Sequence, residues 1–302
     1  MQDFSFPSGG SGATTGEGDL LASYDYTVRA DGRRTSSTET FWIDSNEDGV
    51  QTPDELKQTT YDWTYDGLNR LTDEVIDHWD DAFDQTESFT YDLTGNRTSL
   101  DRDKGNDGTI DEAITYSYDS NDRLTEELLD SIVDTEDTTT TYGYDHTQQT
   151  EKLVSRSVSE GQEIVSRQSF TFNLQGRMDS VTNEGYTDGT LSSRERTSYT
   201  YDMRSFRVEL TNESDASLNG NFTLTSRTEF LASSRNFTGY TQTLRETTFG
   251  SDGNVSKTID YTFGADEIAQ TVNENGETQT LIFGHDGHGS VRVLYDLSLI
   301  HI

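Results

Sequence analysis

The sequence predicts an all-β chain, built as an array of antiparallel β-hairpin repeats of about 26–29 residues. Its first support is a recurring word: an aromatic pair at i and i+2, then Asp or Asn, a short polar turn, and Arg. It reads Trp63-Thr-Tyr65-Asp66-Gly-Leu-Asn-Arg70, Phe89-Thr-Tyr91-Asp92-Leu-Thr-Gly-Asn-Arg97 and Tyr116-Ser-Tyr118-Asp119-Ser-Asn-Asp-Arg123. Further copies are Phe170-Thr-Phe172-Asn173-Leu-Gln-Gly-Arg177 and Tyr199-Thr-Tyr201-Asp202, with a degenerate one at Tyr142-Gly-Tyr144-Asp145. The second support is period: the second aromatics stand 26, 27, 26, 28 and 29 residues apart, as in stacked structural units. The third is the two-residue spacing itself, which puts both aromatics on one face of a strand and the intervening Thr or Ser on the other.

Each element follows in order. Residues 1–18 are a Gly/Ser/Thr-rich leader with no basic start and no hydrophobic run, so a secretory signal is not legible there. The array is expected over 19–259. Within a unit, the aromatic strand ends in Asp, Asn and Gly, which turn chains through local side-chain bonds or positive φ. Arg70-Leu71-Thr72-Asp73-Glu74-Val75 and Arg123-Leu124-Thr125-Glu126 then read as return strands, making each unit a hairpin. Asp54–Gln58 is the one candidate for a short helical turn. A lone hairpin is marginal in water, so neighbours must pair to cover their aromatic rows. The result is expected to be an open, curved sheet whose many acids discourage edge pairing. Residues 203–259 read as divergent repeats, and phase returns at Tyr261 and Phe263.

These residues resemble the YD-repeat family, also called RHS repeats, of large bacterial surface and toxin proteins and the animal teneurins. Asp260-Tyr-Thr-Phe-Gly-Ala-Asp-Glu-Ile-Ala-Gln270 and Phe283-Gly-His-Asp-Gly-His-Gly-Ser-Val-Arg292 resemble the opening of the RHS-associated core region, placed at 260–296. The resemblance implies a curved or spiral YD/RHS-type β-shell, export to the cell surface or beyond, and a C-terminal passenger, often a toxin, after the core. It covers about residues 24 to 296. The last six residues, Leu297-Ser-Leu-Ile-His-Ile302, break character and match one translation frame of the transposon end used in tagmentation sequencing libraries. They are expected to be non-native.

Composition narrows the function classes. Acidic residues outnumber basic ones 56 to 22, a net charge of −34. Phosphate binding needs a basic footprint, so nucleic acid and anionic lipid are disfavoured, while divalent cations and a salty habitat suit the charge. Low hydrophobicity with high charge is a disorder signature, but aromatics at strand spacing argue for folding. No apolar run is long enough to span a bilayer as a helix. With no cysteine there is no disulfide framework and no thiolate site.

The sharpest chemical motif is Asp44-Ser-Asn46-Glu-Asp48-Gly49-Val50-Gln-Thr52-Pro-Asp-Glu55, which fits D-x-[DN]-x-[DN]-G-x5-E throughout. Asp44, Asn46, Asp48, the Val50 carbonyl, Thr52 and Glu55 would supply the oxygen-rich cage that Ca²⁺ prefers. The flanks are strand and not helix, so this is an EF-hand-like loop inserted between strands; the alternative is an acidic surface loop. A second acidic loop, Asp101–Glu112, has the wrong spacing and reads as a solvated turn. His285 and His288 lack further ligands at a metal-site spacing and fit a Gly-rich turn, and Ser290 lacks a nucleophile elbow. Asn96, Asn221 and Asn236 satisfy the glycosylation sequon, relevant only in a eukaryotic secretory host.

The functional expectation is therefore a non-enzymatic structural segment of a large secreted or cell-surface protein, forming part of a β-shell wall around a C-terminal passenger. The alternative is a carbohydrate-binding or adhesion surface meeting cell-surface glycans; a hydrolase has little support. Titrating the chain with calcium is expected to release or absorb heat with a dissociation constant of about 10⁻⁴–10⁻³ M. Asp48→Ala should abolish that heat, and a flat calorimetric trace at millimolar calcium would remove the site.

Overall fold

The structure is a computed structural model that describes residues 2–6, 19–46, 50–131, 137–145, 152–236, 239–264, 267–285 and 291–296. The strands begin with β1 (Gln2–Phe6), β2 (Asp19–Val28), β3 (Arg34–Trp42), β4 (Leu56–Tyr65), β5 (Leu71–Asp77), β6 (Gln85–Tyr91) and β7 (Arg97–Lys104). They continue as β8 (Glu112–Tyr118), β9 (Leu124–Ser131), β10 (Thr138–Tyr144), β11 (Leu153–Glu160), β12 (Glu163–Phe172), β13 (Met178–Thr187) and β14 (Thr190–Tyr201). The last are β15 (Arg207–Ser214), β16 (Thr223–Ser233), β17 (Gln242–Gly250), β18 (Val255–Phe263), β19 (Glu267–Glu274), β20 (Glu277–His285) and β21 (Val291–Asp296).

All belong to one 21-stranded sheet. Each strand pairs antiparallel with the next in sequence, from β1–β2 through β20–β21, so the chain is an uninterrupted meander. Among the described residues β1 and β21 are the open edges. Residues 207–263 continue the sheet as β15–β18. Among the described residues there is no α-helix, only two short 3₁₀ turns, at Pro53–Glu55 and Asp81–Phe83. The helical turn expected over Asp54–Gln58 is corrected. It begins one residue earlier, and Leu56, Lys57 and Gln58 pair with Trp42, Phe41 and Thr40 as the start of β4. Proline suits the first position of a helical turn, and ladder bonds to β3 take the chain after it.

Registers assign the faces. Directly paired residues lie on the same side, so one face carries Tyr24, Tyr26, Phe41, Tyr61, Trp63, Tyr65, Phe89, Tyr91, Tyr116 and Tyr118. Across the strands this face runs in rows such as Phe89–Leu100–Ile114–Leu129 and Trp63–Glu74–Glu87–Arg102–Glu112. Along β4 the burial alternates: Trp63 and Tyr65 are half-buried, whereas Asp62 and Thr64 are exposed.

Among the described residues no second layer covers either face. The surface area is 18801 Å², where a compact protein of this mass exposes about 13,000 Å². Among the described residues the buried apolar ones are Ala22, Tyr24, Phe89 and Leu100, all on the aromatic face. Removing one of them should therefore register clearly. Phe89→Ala is expected to cost about 3 kcal/mol in urea unfolding, and Leu93→Ala less than about 0.5 kcal/mol. Leu93 is a turn-tip residue 103% exposed. Equal losses would contradict the placement of the core.

Candidate functional site

The most regular chemistry lies in the turns that follow the aromatic strands. Those at 66–70, 92–96, 119–123, 173–177 and 202–206 are five-residue connections, each closed by a bond from its first N–H to its fifth carbonyl; in all but 92–96 a second bond runs from the fourth N–H to the first carbonyl. In the first copy Asp66 N donates to the Arg70 carbonyl (2.9 Å) and Asn69 N to the Asp66 carbonyl (3.0 Å). The fourth residue takes positive φ: Asn69 at 66°, Gly95 at 104°, Asp122 at 59°, Gly176 at 76° and Ser205 at 83°. This is why Gly, Asn and Asp dominate there, since their left-handed conformation costs least. The register shifts at the second aromatic of each strand, between Thr64 and Tyr65, Thr90 and Tyr91, Ser117 and Tyr118, and Thr200 and Tyr201. Such bulges twist the strand as it enters the turn.

The Asp after the aromatic pair holds the turn from inside. Asp66 Oδ1 accepts from Leu68 N (2.8 Å) and Arg70 N (2.9 Å), while Oδ2 accepts from Arg70 Nε (2.7 Å). Asp119 repeats this with Asn121 N, Arg123 N and Arg123 Nε at 2.8, 3.1 and 2.8 Å. Asp92 gathers Thr94 N, Gly95 N and Asn96 N at 2.9, 2.7 and 2.8 Å, plus the Thr94 hydroxyl. The bond to the Arg123 side chain outweighs burial and holds Asp119 at about 2. Burial pushes Asp92 up, but its Thr94, Asn96 and Gly95 donors overcome it and hold it at about 2 as well.

The structure corrects the alignment of the repeat word. The position of Arg70 is filled in the second copy by Asn96, whose side-chain amide reaches Asp92 Oδ2 (3.0 Å), and in the Tyr201 copy by Phe206. Arg97 and Arg207 come one residue later, at the start of the return strand. The five-residue turn, more than the Arg, is the invariant of the geometry.

Successive hairpins are then stapled to one another. The hydroxyl of the second Tyr donates to the carbonyl at the start of the preceding return strand. The pairs are Tyr65 to Arg34 (2.9 Å), Tyr91 to Leu71 (2.7 Å), Tyr118 to Arg97 (2.8 Å), Tyr144 to Leu124 (2.8 Å) and Tyr201 to Met178 (2.9 Å). The basic residue of one turn lies over the ring of the next. Arg70 stands 4.7 Å from the Tyr91 centroid, Arg123 4.8 Å from Tyr144, and Arg177 5.5 Å from Tyr201. Where the next ring is Phe172 and offers no hydroxyl, Lys152 Nζ sits 4.4 Å above it and donates to the Gly176 carbonyl. Arg70 also reaches the Asp92 carbonyl (2.9 Å), and Asn96 reaches Asp122 Oδ1 (2.9 Å), so neighbouring turns touch directly.

The calcium-loop residues are placed as follows. Asp44 and Thr52 are half-buried, Asn46 and Val50 are exposed, and Glu55 is 1% exposed; Asp48 and Gly49 lie outside the described residues. The Glu55 carboxylate accepts from Trp42 Nε1 (3.3 Å), Thr52 N (3.1 Å) and Ser45 Oγ (3.5 Å), and Ile43 N donates to its backbone carbonyl (2.9 Å). Burial alone would raise its pKa, but these donors hold it below the ordinary carboxylate range. Among the described residues no group of three or more His, Asp or Glu side chains converges on a metal-sized site.

Two further loops share a pattern that the sequence reading missed, D-x3-[DN]-G. Asp103 accepts from Asp107 N (3.1 Å) and Gly108 N (2.8 Å), and buried Asp215 accepts from Asn219 N (3.2 Å) and Gly220 N (2.7 Å). The signal was the repeated spacing, shared by Asp44 and Asp48-Gly49. On the sheet face, Arg102 bridges Glu87 (2.7 Å) and Glu112 (2.5 Å), so these carboxylates are neutralised in place. His285 Nε2 lies 2.8 Å from the Glu267 carbonyl, and residues 286–290, with His288 and Ser290, are outside the described residues.

No family model matches the chain, and no curated protein matches it. Among solved structures it is similar to TcdB2-TccC3-TEV, with TM-score 0.40 and 12% identity over 90% of this chain and 17% of that one. It is also similar to TcdB2-TccC3 without its hypervariable C-terminal region, with TM-score 0.36 and 15% identity over 93% and 18%. A porin-like protein from Bacteroides uniformis ATCC 8492 gives TM-score 0.35 and 9% identity over 82% and 93%. The chain thus spans less than a fifth of the TcdB2-TccC3 chains, and at these scores the likeness carries no argument about function.

The caged carboxylates set an acid limit on stability. Asp92 and Asp119 sit at about 2 when folded against 3.8 ordinarily, so the unfolded chain binds more protons between those values. Their stabilisation is complete above about pH 4 and is lost as pH falls through about 2. The urea midpoint of the parent chain should fall steeply across that window. Asp92→Asn combined with Asp119→Asn is expected to flatten the decline, and an unchanged slope would show that the cages do not govern it.

Proposed function

We propose that this chain is a non-enzymatic structural segment of a large secreted or cell-surface bacterial protein of the YD-repeat type, a stretch of shell wall around a C-terminal passenger. The observation that supports this reading best is the staple from hairpin to hairpin. The periodic Tyr hydroxyls reach the adjacent unit and the periodic Asp carboxylates close their own turns, which leaves these groups building a wall and not assembling a reaction centre. Carboxylates on the aromatic face are likewise held by Arg102 and Lys104. The acidic balance, 56 against 22, fits a surface or extracellular setting.

The loop at 44–55 is proposed as a weak calcium loop on its donor set. Asp44, Asn46, Asp48, Val50, Thr52 and Glu55 would hold the ion, which would pin the β3–β4 connection. Glu55 already points inward and is charged, which favours this reading.

The wall reading is tested on the full-length reading frame. Its C-terminal passenger is expected to resist protease while joined to the array and to be digested rapidly when produced alone. Tyr91→Phe with Tyr118→Phe, which removes two staples, should shorten the protected lifetime. Digestion at the same rate in both settings would sink the reading.

A further inference from the structure

Most aromatics of this chain are absorbed by the repeat. Trp79 and Phe83 are not: they stand outside the period, in the connection His78–Asp84 between β5 and β6, and are 44% and 62% exposed. The connection is internally braced. His78 N donates to Asp84 Oδ1 (2.7 Å), Asp80 N to His78 Nδ1 (3.1 Å) and Ala82 N to Asp80 Oδ1 (3.2 Å). It is also tied to the next connection, where Gly105 N donates to the Asp84 carbonyl (2.7 Å) and Asn106 Nδ2 to the Ile76 carbonyl (2.9 Å).

This braced segment borders a shallow notch, open to solvent, of about 480 Å³ lined by Tyr61, Ile76, His78, Phe83 and Gln85. The floor is the cross-strand row Tyr61–Ile76–Gln85, and the walls are His78 and Phe83, whose rings meet edge-on at 5.2 Å. Trp63 stacks on Tyr61 at 5.9 Å with planes 10° apart, and its indole N–H is fixed by Glu74 (2.6 Å), so the floor is rigid. Trp79 buttresses the wall, with its ring 5.2 Å from His78 and under Lys57.

We propose that this notch binds a neutral pyranose ring. Its volume falls within the range of small-molecule sites. The flat apolar surfaces of Tyr61 and Phe83 suit the C–H faces of a sugar, as ring stacking does in general. The Gln85 amide offers both a donor and an acceptor for hydroxyls at the notch. Charge weighs against acidic ligands: Asp80, Asp81 and Asp84 in the connection outnumber Lys57 and Lys104, the cations beside the notch, in a chain of net charge −34. A uronic acid or a nucleotide would enter against that field.

The test follows tryptophan fluorescence and calorimetric heat of the full chain titrated with methyl β-D-glucopyranoside and with N-acetyl-D-glucosamine, and with D-glucuronate as the anionic counterpart. Saturable binding of at least one neutral sugar in the millimolar range is expected. Phe83→Ala and Gln85→Ala should each weaken it about tenfold without changing the circular dichroism spectrum, and glucuronate should bind at least about tenfold more weakly. No saturable response to either neutral sugar, a response unchanged in Phe83→Ala, or equal binding of glucuronate would overturn the proposal.

Discussion

A sheet whose described residues form a single layer has to hold its rungs together along its own surface, and here that task falls on the Tyr hydroxyls and cation-covered rings beside the turns. Backbone ladders alone do not fix a meander, because a two-stranded unit is marginal in water. Each staple adds about 1 kcal/mol for the hydroxyl–carbonyl bond and about 0.5–1 kcal/mol for the cation over the ring. Neither is large, but each is repeated down the array between nearest neighbours, as in other repeat architectures. The Tyr91 hydroxyl reaches Leu71 only because the strand shifts register just before Tyr91. The bulge, the caged turn and the staple are thus one device, and the Asp that closes the turn is what aims the Tyr.

That dependence explains which parts of the repeat word vary. Asn96 and Phe206 take the place of Arg70, and the turn keeps its five-residue form. The Asp carboxylate, or the Asn173 amide oxygen, still accepts the N–H of the fifth residue, because that donor belongs to the backbone and is supplied by any residue but proline. A side chain tolerates replacement when its work is shared with a neighbour. The residue that accepts several backbone donors at once has few substitutes.

The all-β class, the hairpin unit and the aromatic face were legible in the sequence because period-2 alternation is local and strong: Trp63 and Tyr65 share a face whatever the rest of the chain does. The single meander follows from short connections. Less was legible at the turns. Arg70 and Arg97 look equivalent in the repeat word, but one extra residue before Arg97 moves it onto the return strand, and only the register reveals that. At 44–55 the metal pattern was visible, but the donors around Glu55 come from Trp42 and Ser45 through folding, and spacing does not encode them. The D-x3-[DN]-G loops at Asp103 and Asp215 offered a sequence signal of the same kind. Their carboxylates accept backbone N–H groups, so the same acidic pattern also closes turns.

Period also separates architecture from recognition. An aromatic on the 26–29-residue rhythm has its hydroxyl or its face engaged by the adjacent hairpin, so changing it disturbs the wall before it can affect any ligand. An aromatic off the rhythm has no such duty. Phe83 is the clearest case: it staples no rung, it stands exposed on a connection braced by its own hydrogen bonds, and it faces the ordered row Tyr61–Ile76–Gln85. In a chain this acidic, an exposed ring gains nothing in solubility, and its one ring contact among the described residues is edge-on with His78. Its open face is what the proposed sugar site would use, with the carboxylates of the connection weighing against an anionic ligand.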